Sequence, residues 1–144
     1  MTATAGPMRP EPPPPSEVSA PFWEATRDGR LVVQWCRPCD EAVFFPRVVC
    51  PRCLRDDLEW RPSAGTGTVY AFTVEHRPQD PRLADRAPYV VALIDVDEGW
   101  RMLTNIVGTD PHAVAVGARV EVAWEPLSDG RQLPVFTPAG RTDA

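Results

Sequence analysis

From Gly65 onward, apolar and polar residues alternate with a period of two, the spacing at which one face of a β-strand meets a core and the other meets water. Five runs carry the pattern: GTGTVYAFTVEHR (65–77), PYVVALIDVD (88–97), WRMLTNIV (100–107), ARVEVAWE (118–125) and LPVFTPA (133–139). Asp97-Glu98-Gly99 fits a tight hairpin turn. Asp110-Pro111 reads as an N-cap followed by the first position of one helical turn, ending before Gly117. Three strands, a short helix and further strands follow the order of a five-stranded Greek-key OB barrel. The pattern therefore predicts an OB-fold domain over 62–140, with 141–144 as a tail. Between the first two strands, Pro78 to Ala87 holds four charges and two prolines, with Leu83 as its one apolar anchor, and reads as a mobile loop.

Shorter apolar runs precede the barrel. Leu31, Val33 and Trp35, then Val43, Phe44 and Phe45, then Leu58 and Trp60 suit the arms of small β-ribbons over 31–61. Trp35, Phe45 and Trp60 are expected to pack over that segment and against the barrel. Upstream, SAPFWEATRD (19–28) predicts a short helix within 19–30. Ser19 is its N-cap candidate, Pro21 is tolerated in its first turn, and Gly29 can end it. So short a helix is marginal alone, so Phe22 and Trp23 must anchor it, either in a groove between ribbon and barrel or on a partner. Residues 1–18, with Pro7, Pro10 and Pro12 through Pro15, predict a disordered or polyproline-like arm. The fold class is thus mainly β, with one short helix at its start.

The four cysteines, Cys36, Cys39, Cys50 and Cys53, form two C-x-x-C pairs inside the ribbon segment. Two thiolates two residues apart can grip one ion, and a second such turn completes a closed tetrahedron. Four protein ligands leave no open position, so the centre reads as structural zinc that supplies folding energy to a segment too small for a core. Rubredoxin holds iron with the same ligands, and the spacing does not separate the two ions. No apolar run is long enough to span a bilayer and the N-terminus lacks the pattern of a signal peptide, so the expected location is the cytoplasm, where paired cysteines favour metal over disulfides.

Charge bears on the partner. The chain carries a net charge of −5, and residues 31–61 balance five arginines (Arg37, Arg47, Arg52, Arg55, Arg61) against five acids (Asp40, Glu41, Asp56, Asp57, Glu59). Four thiolates around a zinc dication add a further −2. The basic footprint of a phosphate-backbone binder is absent, which leaves single-stranded nucleic acid on a stand-alone OB and zinc-ribbon module as the alternative function.

Taken in order, PFWEAxRxGRL, CRPC…FPRxxCPRC, GxGTVYAFTV, PYVVALIDVDEG and FTPA resemble the family that joins a rubredoxin-like zinc ribbon to an OB domain, domain-of-unknown-function family 35, over residues 20–140. That resemblance implies zinc on the four cysteines. It also implies a role as an acyl-CoA-binding accessory subunit of a thiolase-superfamily enzyme, either an acyltransferase or an aldolase of steroid side-chain degradation. The partner would supply the catalytic residues, the two chains forming a hetero-oligomer without nucleic acid or membrane.

The residues agree with a non-catalytic role. All 15 basic residues are arginine, so a Schiff-base lysine is excluded on this chain. No serine sits in G-x-S-x-G, and the cysteines are committed to metal. His76 and His112 have no partnered nucleophile nearby in sequence and read as surface or turn residues, Tyr70 and Tyr89 as core or rim of the barrel. Asp95, Asp97 and Glu98 read as a solvated turn. For the acyl-CoA implied by the resemblance, Phe72 is the candidate along an aromatic path, and Arg77, Arg82 and Arg86 are the candidates for its phosphates.

Overall fold

The computed structural model describes residues 11–140. Residues 1–10 and the tail 141–144, both named above, lie outside the described residues. A helix, α1 (Ala20–Thr26), is followed by three short strands, β1 (Val32–Cys36), β2 (Glu41–Val43) and β3 (Leu58–Pro62), which form an antiparallel sheet in the order β2-β1-β3. Five longer strands follow: β4 (Thr66–Glu75), β5 (Tyr89–Val96), β6 (Trp100–Ile106), β7 (Arg119–Pro126) and β8 (Gln132–Pro138). They close into a barrel ordered β4-β5-β6-β8-β7.

Period-two alternation builds the barrel core. Val90, Ala92, Ile94 and Val96 of β5 all point inward, and so do Trp100, Met102 and Ile106 of β6. Val69, Val120 and the fully buried Phe136 complete the filling. The GTGT run opening β4 has a steric reason. A Cβ on Gly67 would lie 2.5 Å from the Asp95 carbonyl oxygen, and one on Gly65, at φ +71°, would overlap Val122 Cγ1. Where β6 meets β8 only Ile106 and Phe136 pair, in parallel. That seam is reinforced by the buried Thr104, whose hydroxyl donates to the Pro134 carbonyl at 3.0 Å.

The ribbon and helix share this core. Leu31 and Val33 of the ribbon side and Phe22 of α1 belong to the same apolar cluster as the barrel residues. Helix α1 ends in a Schellman arrangement: Gly29, at φ +66°, donates to Thr26 O and Arg30 donates to Ala25 O. Thr26 is wholly buried and docks the helix on β8, accepting from Gln132 N at 3.2 Å and offering its carbonyl to Gln132 Nε2 at 3.0 Å.

Ser19 stands at the N-cap position but does not cap α1; its backbone is helical, and its hydroxyl accepts from Ser16 N at 3.0 Å. The end of the proline-rich arm is pinned rather than free. The Glu11 carboxylate accepts from Ser128 N and Oγ, both at 2.7 Å, and the buried Arg131 donates to the carbonyls of Pro13 and Pro12 at 3.1 and 3.2 Å. The segment read as a mobile loop contains a 3-10 helix (Pro81–Arg86), with Asp80 accepting from Arg82 N at 2.9 Å and Arg86 paired to Glu125 on β7. Of Trp35, Phe45 and Trp60, the three expected to pack there, only Trp60 does so against the shared core. Trp35 instead lies under the Arg61 guanidinium, and Phe45 is 65% exposed.

Candidate metal centre and apolar groove

The turn after β1 and the turn before β3 bring the four cysteines together, with all ligand atoms within 4.8 Å of one another. Cys36 Sγ and Cys53 Sγ are 3.6 Å apart, close to the ~3.8 Å edge of a tetrahedron with zinc–sulfur bonds of about 2.3 Å. Cys36 and Cys50 are buried and no disulfide links the four. The two knuckles repeat one backbone device: the residue after the second cysteine is left-handed, Asp40 at φ 53° and Leu54 at φ 62°. Aspartate tolerates that conformation, and the Asp40 carboxylate also accepts from Trp35 Nε1 at 3.1 Å. Leucine rarely adopts it.

The protonation of the thiols suits stepwise capture of a cation. Backbone N–H groups of Cys53 and Arg52 point at Cys50 Sγ and bring that thiol down to about 7. Desolvation, with the neighbouring sulfurs, pushes Cys39 up to about 12, and desolvation raises Cys36. Cys50 is thus the more readily ionised, and Cys36 and Cys39 release their protons as metal binds. Zinc here would hold the ribbon's turns together, with no open position for chemistry.

A groove of about 520 Å³ runs between α1, the end of β2 and the barrel. Phe22 and Trp23 of α1, Phe44, Phe45 and Pro46 of the ribbon, and Val91, Met102, Leu103, Thr104, Asn105, Leu133 and Pro134 of the barrel line it, with Pro12 and Ser19 at its margin. Of its aromatic lining, Phe22 lies 5.2 Å edge-on from Trp23, and Phe44 packs 4.8 Å from the buried Trp100.

Residues 23–59 match the family described as ChsH2, rubredoxin-like zinc ribbon domain, and residues 60–125 match ChsH2, C-terminal OB-fold domain. A solved structure named Ltp2-ChsH2(DUF35) aldolase superposes with a TM-score of 0.79 at 38% identity, covering 89% of this chain and 99% of that one. The chain belongs to the DUF35 family. Its relatives include a probable enoyl-CoA hydratase alpha subunit of Thermomonospora curvata, 41% identical over 82% of this chain. Another is a 3-oxo-4,17-pregnadiene-20-carboxyl-CoA hydratase alpha subunit of Mycobacterium tuberculosis, 34% identical over 77%. This DUF35 chain spans 37% and 38% of the lengths of those two proteins.

The structure distributes the other candidate residues unevenly. Phe72, on β4, packs against the barrel core and does not border the groove. Arg82 is held by Asp80 at 2.7 Å, and Arg86 by Glu125 at 2.7 Å beside a second cavity bordered by Leu83, Pro88 and Tyr89. The Arg77 side chain has no ion pair among the described residues. Phe22 is only 7% exposed and fills the shared core, whereas Trp23 reaches the groove with the Arg131 guanidinium 4.9 Å over its ring. Tyr70 is half exposed under Arg101.

His76 and His112, 36 positions apart, stack at 5.3 Å between centroids. No side chain of the described residues hydrogen-bonds to either ring. The hairpin acids are less idle than a solvated turn implies. Asp97 receives two bonds from Arg119, each 2.7 Å, and one from Thr66, and the Arg119 bonds hold its carboxyl far below the usual range. Glu98 accepts from Ala64 N and Ser63 Oγ, tying the ribbon–barrel junction to the hairpin. Among the described residues, no helix is long and apolar enough to cross a membrane.

Proposed function

We propose that this chain is a non-catalytic subunit that joins a thiolase-superfamily enzyme and helps it bind an acyl-CoA substrate. One observation carries the reading: the chain corresponds along nearly its whole length to the DUF35 component of a solved aldolase whose name pairs that component with a second one, Ltp2. The relatives named as hydratase alpha subunits handle CoA thioesters by name, one of them with a steroid skeleton, which supports acyl-CoA as the ligand class and a bulky apolar acyl group as its distinctive part. The closed four-cysteine centre supports a structural rather than a reactive role for the metal, and the absence of lysine leaves amine chemistry to the partner. Retro-aldol cleavage is the partner reaction the solved relative favours over acyl transfer. Most arginines are spent on acids of this chain, so no basic track favours nucleic acid.

Co-expression with a thiolase-superfamily protein encoded beside it, followed by size-exclusion chromatography, tests the proposal. A stable shared peak that survives moderate salt is expected. Separate elution of both chains, each folded and the ribbon zinc-loaded, would overturn it.

A further inference from the structure

The groove differs in kind from the other large cavity. No ionisable side chain lines it, whereas Arg86 and Glu125 border the cavity beside Pro88. Its volume of about 520 Å³ falls in the usual small-molecule range of roughly 300–1,000 Å³. Phe45 and Leu103, 65% and 62% exposed, stand on its ribbon and barrel sides as large apolar groups left to water. Pro12, which lines the groove, is fixed by the pinned arm. Pro46, which also lines it, borders in addition a shallow hollow on the ribbon that includes Arg47. Among the described residues the Arg47 guanidinium has no ion pair, unlike Arg82 and Arg86, which are neutralised by acids of this chain. An uncharged trough that shares Pro46 with a hollow holding an unspent guanidinium matches an amphipathic anion: an apolar chain loses nothing against walls without charge, and a phosphate needs a cation not already paired.

We infer that the groove holds the acyl group of an acyl-CoA, with the anionic head passing over Pro46 toward Arg47. The ligand class rests on the proposed function; the site and its orientation are new, and they move ligand contact from Phe72, Arg77, Arg82 and Arg86 to Phe45, Leu103 and Arg47. Apolar contact gives the affinity and the guanidinium gives direction.

Equilibrium binding of octanoyl-CoA and of free CoA to the full zinc-loaded chain, without a partner, tests this. Octanoyl-CoA should bind at least tenfold more tightly than CoA. Leu103→Asp and Phe45→Asp change exposed side chains, so zinc content and melting should hold while octanoyl-CoA affinity falls about tenfold. Arg47→Gln should weaken binding severalfold and flatten its salt dependence, and Val116→Asp, on the exposed turn before β7, should do neither. Equal affinity for the two ligands, no binding of either, or octanoyl-CoA affinity unchanged in Leu103→Asp would overturn the acyl site. An unaltered salt dependence in Arg47→Gln would overturn the placement of the head. If the two groove variants lose the partner but keep octanoyl-CoA, the groove is a protein seat and this inference fails while the proposed function stands.

Discussion

The ribbon and the barrel are both antiparallel β-structures in one chain, yet different forces hold them. The barrel has a filled interior in which Ile94 and Phe136 are wholly buried and Val69, Val90 and Val120 nearly so. Around the knuckles, the buried cluster is Cys36, Val43 and Cys50, with Leu58 and the two other cysteines partly buried against it. Two of those three are metal ligands. Where the barrel excludes water with side chains, the ribbon tips rely on an ion, and only the inner edge of the ribbon, through Leu31 and Val33, takes part in the barrel's core. The lesson is that one core can support an attached element on one side and leave its far side dependent on metal.

The sharpest way to break the comparison is to remove a ligand. Cys50→Ser should abolish stoichiometric metal binding and unfold the knuckles, since structural zinc supplies on the order of 10 kcal/mol. Amide exchange should then rise across 36–58 while β5 and β6 stay protected. Recovery of iron instead of zinc from the native protein would change the ion and keep this outcome.

Gly67→Ala attacks the barrel in turn. The added methyl meets backbone at 2.5 Å and Ile94 Cγ2 at 2.7 Å, so β4 and β5 must part, at an expected cost of about 1–3 kcal/mol. A lower melting temperature with full zinc content checks it.

Acid separates the regions by a third route. Asp97 is held far below the usual carboxylate range, first by Arg119. Its folded-state value is depressed, so its contribution is present above the unfolded value near 3.9 and is lost as pH falls below that toward the folded one. Asp97→Asn should flatten this acid limb of barrel stability. Zinc release, which needs only protonated thiols, should come at higher pH and be unaffected.

The smallest effect is expected at Leu54. Its left-handed backbone disfavours a branched side chain by roughly 1–2 kcal/mol, and glycine gives back about 0.5–1 in chain entropy. Since Leu54 is 73% exposed, Leu54→Gly should stabilise the ribbon slightly, by about 0.5–1 kcal/mol, read as slower zinc loss to a chelator.

Much of this was legible in the chain because its signals are local. Alternation from Val90 to Val96, the Asp97–Gly99 turn, the Asp110-Pro111 cap, where Asp110 accepts from His112 N, and the two cysteine pairs each fall within a few residues. A groove between ribbon and barrel was legible as one seat for Phe22 and Trp23, but its lining by Phe45 and Leu103 was not, since these meet α1 only through the closed fold. The ion-pair partners of the candidate arginines were hidden for the same reason: Arg86 finds Glu125 across 39 positions, and nothing around Pro78–Ala87 announces it. The pinned arm joins Glu11 to Ser128 over 117 positions, so a proline run that reads as loose is held by residues far from it. Phe45 reads in sequence as packing over the ribbon and against the barrel, whereas in the fold it lines the groove and is 65% exposed.

The central claim is that the chemistry lies in a partner and the binding surface lies here. Turnover of an acyl-CoA aldol substrate by this chain purified free of any partner, compared with the same amount of chain in the reconstituted complex, tests it most directly. No turnover by the chain alone and turnover by the complex is the predicted result. Sustained turnover by the chain alone, lost in His76→Ala or His112→Ala, would contradict it and make the stacked histidines the active centre.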